Sequence, residues 1–298
     1  MKKILLKVYY KYLDIKDLIT MIYNKNITSR KKAPIVKSTD ETIEKLVNSR
    51  VSISRYGDGE FSLMNGRDLI FQPYYKELGE KLKFIIKSNE ANHIVGIPNI
   101  FFDLNIYTDK SREYWSKYLK LNRNRIYKML NIKKKYYDSL VTRLYIDCKD
   151  KSKVEQRFNS MKELWNNREI VIIEGDKSRL GIGNDLFSNS KSIERIICPS
   201  QDAFSKYTEI ISIAKKQDKS KLILLALGPT ATVLAYDLCI EGYQAVDIGH
   251  IDIEYEWFLQ GVTDKCPVKN KYIGEINGGD IVESIDDIIY KSQVIRYI

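Results

Sequence analysis

Histidine, cysteine and proline are all scarce in this chain of 298 residues, which holds two, four and six of them. Two histidines, His93 and His250, give no basis for histidine-rich zinc chemistry. Cys148, Cys198, Cys239 and Cys266 are scattered without a Cys-x-x-Cys pair, which argues against a metal cluster. Free thiols in a reducing cytoplasm fit that usage. No run of 18 apolar residues occurs, so no membrane-spanning helix is expected. The opening Met1-Lys2-Lys3-Ile4-Leu5-Leu6-Lys7 imitates a secretion signal, but Lys7 cuts the apolar run short and no small-residue cleavage site follows. A Walker-type phosphate loop and a Gly-x-Gly-x-x-Gly turn after a strand are missing too.

What is present describes a globular protein with a sizeable core: 44% hydrophobic residues and 30% charged ones. The net charge of +10 is unevenly placed. Residues 1–37 hold ten Lys/Arg against Asp14 and Asp17, and residues 110–135 hold ten against Glu113. The rest of the chain is mildly acidic. Residues 1–23 read as a basic amphipathic helix with Ile4, Val8, Tyr12, Ile15, Ile19 and Ile22 on one stripe. Such a helix suits either an anionic membrane surface or packing on a protein. A polar linker runs to Lys37, and residues 38–298 are expected to form a single α/β domain.

Within that domain, apolar runs alternate with helical periodicity. Strands are expected at Val51–Tyr56, His93–Ile97, Glu169–Ile173, Ile193–Cys198, Leu222–Leu227 and Gln244–Ile248. Helices are expected at Glu41–Asn48, Tyr74–Ser88, 108–130, Val154–Asn166, Ala203–Lys216 and Thr230–Ile240, the last with Gly242 at its end. The β-branched run Glu169–Ile173 suits a strand covered on both faces. The alternation predicts a mostly parallel sheet flanked by helices. Ligands of such sheets bind outside the carboxyl ends of the strands.

The segments that follow the strands therefore mark the expected site. Asp58 and Glu60, two apart and flanked by glycines, can share one hard divalent cation with a substrate phosphate, and Arg55 adds positive charge. The same tetrapeptide is also ordinary turn chemistry. Gly228-Pro229-Thr230 joins a strand to a helix whose free N–H groups suit a phosphate, or is simply a tight connection. The segment Asp176 to Asn184 adds Lys177 and Arg179 with Gly181 and Gly183, a basic loop suited to closing over a diphosphate. Asp252 and Glu254 are either the first-turn acids of a helix or a general base for an acceptor hydroxyl. The basic helix 108–130, with Tyr107, Tyr114, Trp115, Tyr118 and Tyr127 interleaved, is an acceptor-side candidate for a lipid-diphosphate-linked glycan, or a solvated helix with inward aromatics.

Four stretches resemble one family. They are Arg55-Tyr56-Gly57-Asp58-Gly59-Glu60-Phe61, Glu174 through Phe187, Gly228 through Leu238, and Asp247 through Trp257. In that order they are similar to the GT-D-type bacterial glycosyltransferases, over roughly residues 40–265. The resemblance implies a Rossmann-like fold, a UDP-sugar donor with glucose foremost, and work on bacterial surface glycans. It also implies a metal-binding Asp-x-Glu motif, which falls on Asp58 and Glu60 and would hold Mn²⁺ or Mg²⁺. The matched motifs place Arg55, Gly57, Glu174, Arg179, Asn184, Gly228, Pro229, Thr230 and His250 around the donor. Asp252, Glu254 and Glu60 are then the catalytic carboxylates.

Three rival readings stand beside it. A metal-dependent nucleotide phosphohydrolase would use the same diphosphate and metal site to activate water. A nucleic-acid-binding protein would explain basic segments with aromatics, but acids at the sheet mouth oppose it, so no nucleic-acid partner is expected. A membrane-surface scaffold would bind vesicles but no nucleotide.

Overall fold

The computed structural model describes residues 15–16, 18–22, 32–279, 282–283 and 286–298. Most of the basic helix expected over 1–23 lies outside the described residues. Residues 15, 16 and 18–22 are helical, and Ile15, Leu18, Ile19 and Ile22 are exposed.

Among the described residues nine strands form one sheet: β1 (Ile35–Val36), β2 (Ser52–Arg55), β3 (His93–Ile97), β4 (Lys135–Asp138), β5 (Glu169–Gly175), β6 (Ser192–Cys198), β7 (Leu222–Ala226), β8 (Gln244–Asp247) and β9 (Val294–Tyr297). Their order is β1-β4-β3-β2-β8-β7-β5-β6-β9, and every neighbouring pair is parallel. The α/β expectation holds, and β3 has the bounds its apolar run predicts. β1 starts at Ile35, so the end of the expected linker joins the sheet edge.

Two apolar layers cover the sheet because a strand sends alternate side chains to opposite faces. Val171 and Ile173 of β5 join Ile223 and Leu225 of β7 in one cluster. Ile170 and Ile172 join Leu222 and Leu224 in the other, with Trp165 and Trp257. The helices are α1 (Thr39–Ser49), α2 (Asp58–Met64), α3 (Lys76–Ile85), α4 (Asp109–Met129), α5 (Val154–Lys162), α6 (Tyr207–Ala214), α7 (Pro229–Ile240), α8 (Ile251–Gln260) and α9 (Ile288–Gln293). Helix α7 is buried nearly all round and packs against β2 and β8, so it sits under the centre of the sheet. Ser54 of β2 donates to the Thr232 carbonyl at 2.6 Å and meets buried His93 at 2.8 Å, which makes His93 a core histidine.

Four elements depart from expectation. Asp58 and Glu60 begin helix α2 instead of a turn, with Gly57 as its N-cap. Glu60 reaches back so that the Gly57 N–H donates to its Oε2 at 2.6 Å, which supplies one of the unmet donors at a helix start. β4 and β9 are strands that the charges around them conceal. The expected helix Ala203–Lys216 opens as a 3₁₀ turn before α6.

Candidate active site

Strands β2 and β8 meet at the middle of the sheet through one paired position, Ile53 with Val246. Beyond it the Arg55 side chain spans the junction. Its Nε donates to the Asp247 carbonyl at 2.8 Å, Nη1 to the Ser139 carbonyl at 2.9 Å, and Nη2 to Asp247 Oδ1 at 2.8 Å. Gly249 follows β8 at φ +42°, and a Cβ there would overlap the Arg55 guanidinium. So Arg55 ties β2, β4 and β8 together at their carboxyl ends.

Asp58 and Glu60 leave the same end of β2 on the first turn of α2, where negative charge is favoured by the helix dipole. Asp58 is exposed, and its Oδ2 accepts from the Tyr114 hydroxyl of α4 at 2.5 Å. Desolvation pushes the Glu60 carboxyl up to about 7; the Gly57 N–H opposes this, and Asp247 and Asp58 add to it. The charges of Asp247 and Asp58 are thus felt at Glu60, although burial is the larger cause. Among the described residues no group of three or more His, Cys, Asp or Glu is placed to hold a metal ion. Asp58 and Glu60 offer oxygen donors, the kind that a hard divalent cation would take together with phosphate oxygens, while Asp58 Oδ2 and Glu60 Oε2 already accept from Tyr114 and the Gly57 N–H.

Across the mouth, His250 is the N-cap of α8 and stands 3.5 Å from Glu275. Desolvation lowers the His250 pKa to about 4, and the Arg143 charge adds to it, so the ring is neutral at pH 7. Glu275 also pairs with Arg143 and with Lys265, the latter at 2.6 Å.

A family model described as "Glycosyltransferase GT-D fold" matches residues 53–276. The chain belongs to the GT-D-fold glycosyltransferase family. It is 39% identical over 264 residues to Glycosyltransferase GlyD of Streptococcus pneumoniae serotype 4, covering 88% of this chain and 32% of that protein. It is equally identical to the Probable glycosyl transferase Gly of Streptococcus gordonii, covering 87% of this chain and 38% of the other. The chain therefore spans about a third of the length of these curated relatives. Among solved structures, a glycosyltransferase from Streptococcus sanguinis superposes with a TM-score of 0.85 at 36% identity, covering 89% of this chain and all of that one. A structure described as having a distinct glycosyltransferase fold gives 0.85 at 35% identity, over 94% and 99% of the two chains.

Within this GT-D domain the remaining sequence-predicted residues divide. Gly228 is exposed at φ +53°, but the Phe71 ring lies over it. Pro229 and Thr230 are buried, and Thr230 Oγ1 donates to Gln72 Oε1 at 3.4 Å. The α7 start is thus covered by the loop carrying Phe71 and Gln72. Glu174 is wholly buried against Arg195 at 2.5 Å, and its Oε2 accepts from the Leu180 N–H. Arg179 donates to the Asn270 and Glu283 carbonyls, tying down the C-terminal segment, and does not point a free guanidinium at a diphosphate. Asn184 donates to Asp252 Oδ1 and Glu256 Oε1. The expected closing loop is consequently a pinned one.

The acids of α8 also need correction. Asp252 is 2% exposed, with Oδ1 taken by Gly181 N–H and Asn184, and Oδ2 by Lys271. Glu254 is fully buried, and its Oε2 accepts from the Tyr145 and Ile146 N–H groups at 2.9 and 2.8 Å. A general base must come within hydrogen-bond reach of the acceptor hydroxyl. Neither carboxylate has an exposed face, and both are held by partners at the buried start of α8. Glu60 is the carboxylate of the expected catalytic set that remains at the mouth.

Glu254 carries a prediction about stability. Burial pushes its carboxyl up to about 7, against the opposing Arg143 charge and two N–H donors. The folded state then keeps a proton that the unfolded chain releases near its ordinary pKa of 4.5. The stabilisation this gives is full below about 4.5 and lost as the pH rises through about 7. Glu254→Gln, which imitates the protonated form, should be at least as stable as the parent at pH 8, with the difference closing toward pH 5. Urea unfolding at both pH values checks this; a loss above about 1 kcal/mol at pH 8 means that the ionised pair with Arg143 dominates.

Spacing and charge pointed to Asp58, Glu60 and Arg55. They marked Asp247 only as the start of a motif and Tyr114 only as an aromatic of the basic helix, and they did not point to Arg143 or Glu275. Asp247 had a usable signal as the last residue of an apolar run that precedes Gly249, whereas Arg143 and Glu275 reach the mouth only through the fold.

Proposed function

We propose that this domain transfers a hexose, glucose foremost, from a UDP-sugar to a hydroxyl of a growing bacterial surface glycan. The carrying observation is the exposed Asp58 beside Glu60 on the first turn of α2, at the central β2–β8 junction where ligands of parallel sheets bind. Asp58 and Glu60 would hold Mn²⁺ or Mg²⁺, which when bound offsets charge on a leaving diphosphate. Arg55 keeps the strand ends in register and contributes a fixed positive charge behind the acids. Gly57, as N-cap, lets Glu60 fold back without a side chain in its way. Neutral His250 offers a ring nitrogen for a donor or acceptor hydroxyl at the other lip.

The exposed residues of α4, including Lys117 and Lys120, suit a lipid-diphosphate-linked acceptor. Among the described residues no helix is long and apolar enough to cross a membrane. The basic residues 1–23 would instead bring a cytoplasmic enzyme to the anionic inner face of the cell membrane.

A thermal-shift series with UDP, UDP-glucose and other UDP-hexoses, each with and without Mn²⁺, tests the donor. Ligand at a hundred times its Kd stabilises by about 2.7 kcal/mol, so the nucleotide with Mn²⁺ should raise Tm by several degrees. The absence of any shift across the series defeats the reading. Hydrolysis of the UDP-sugar that outruns transfer in the presence of glycan acceptors supports the phosphohydrolase instead.

A further inference from the structure

We propose that Tyr114 is a positioning residue for Asp58, which makes the first half of α4 a wall of the active site. This rests on the reading of Asp58 and Glu60 as the cation-binding pair. Three observations point to it. The Tyr114 hydroxyl donates to Asp58 Oδ2 at 2.5 Å across 56 residues of sequence. The phenol is held on a rigid support: its ring meets buried Trp115 edge-on at 5.0 Å and 75°, and lies parallel to Tyr118 at 6.3 Å and 10°. Among the described residues no other side chain bonds the Asp58 carboxylate.

An exposed aspartate on the first turn of a helix has free rotamers, and fixing them costs entropy each time a ligand binds. A donor clamped on Oδ2 removes that freedom in advance. Partners of this kind, which hold a ligating group without touching the metal, typically change metal affinity 10- to 100-fold when removed. Tyr114 is 49% exposed, so its hydroxyl adds little to the core. It stands at the mouth because α4, inserted between β3 and β4, leaves the sheet on the side where β2 ends.

Titration of the full chain with Mn²⁺ alone, followed by the electron paramagnetic resonance signal of free Mn²⁺, tests the proposal. Tyr114→Phe keeps the ring and removes the donor. It should weaken Mn²⁺ binding about tenfold, with Tm within about 2 °C of the parent. Asp58→Asn in the same titration should show no binding. If Asp58→Asn abolishes binding while Tyr114→Phe matches or exceeds the parent affinity, the role of Tyr114 is wrong and the cation site stands. A Tm loss of several degrees in Tyr114→Phe would make the tyrosine a structural tether of α4 and also overturns the proposal. If Asp58→Asn binds as the parent does, the cation site itself is lost.

Discussion

Asp58→Asn should lower metal-dependent sugar transfer by roughly 10²–10³-fold, the loss seen when one stabiliser of developing charge is removed from an active site. The fold should survive. Asparagine has the shape of aspartate and can still accept from the Tyr114 hydroxyl. The change forfeits only the favourable placement of a negative charge on the first turn of α2, about 0.3–1 kcal/mol. Glu60→Gln should be a milder variant in stability terms than Glu60→Ala, because an amide oxygen can still receive the Gly57 N–H that caps the helix. Turnover of UDP-glucose to a glycan acceptor, measured with saturating Mn²⁺ beside a melting curve, reads both quantities. An Asp58→Asn protein that melts normally and keeps more than a tenth of parental turnover removes the carboxylate pair from the mechanism.

Arg195→Met should destabilise the fold far more than any change at the sheet mouth, costing about 3–5 kcal/mol at pH 8. At 2–4 °C per kcal/mol for a domain of this size, Tm falls by roughly 6–20 °C. Arg195 and Glu174 are 1% and 0% exposed, and no water can replace the lost partner. The guanidinium also donates to the Leu180 carbonyl and to Gln293, and lies over the Tyr290 ring, so one side chain joins β5, β6, the 180 loop and α9. Burial already raises the Glu174 carboxyl above its usual range despite Arg195. A lone Glu174 therefore escapes by taking up a proton, and the deficit should shrink toward pH 5. Pairing the change with Glu174→Gln should recover part of the loss, since a neutral amide needs no counter-charge. A pH-independent drop, unrelieved in the double variant, would trace the cost to packing against Tyr290.

Much of the architecture was legible because it rests on local periodicity. The run His93–Ile97 has apolar residues for both faces of a parallel strand, and the structure buries all five. Thr230 to Ile240 carries no charged face except at Asp237, as befits a helix packed under the sheet. Where local pattern and charge disagree, periodicity is silent. Lys135-Tyr136-Tyr137-Asp138 looks like the tail of a basic segment, yet it is β4, because pairing with β3 and burial of Tyr136 outweigh a lysine at the edge. Helix α2 has only seven residues, too few to show a stripe.

The candidate site was half legible for a related reason. Asp58 and Glu60 declare themselves by being acids next to glycines after a strand. The same surface logic promoted Asp252, Glu254, Glu174 and Arg179, which the fold pairs inside: a charged side chain near a strand end is indistinguishable in sequence from one with buried partners. Lys271 reaches Asp252 from 19 residues away and Arg195 reaches Glu174 from 21, while Tyr145 and Ile146 approach Glu254 from over a hundred.

The order of residues alone thus marked six of the nine parallel strands and the acids that follow them, since both follow from side-chain alternation and composition within a few neighbours. Only the folded chain decided which charges are spent on one another and which still face the mouth, because burial and pairing depend on groups that the sheet brings together from distant positions.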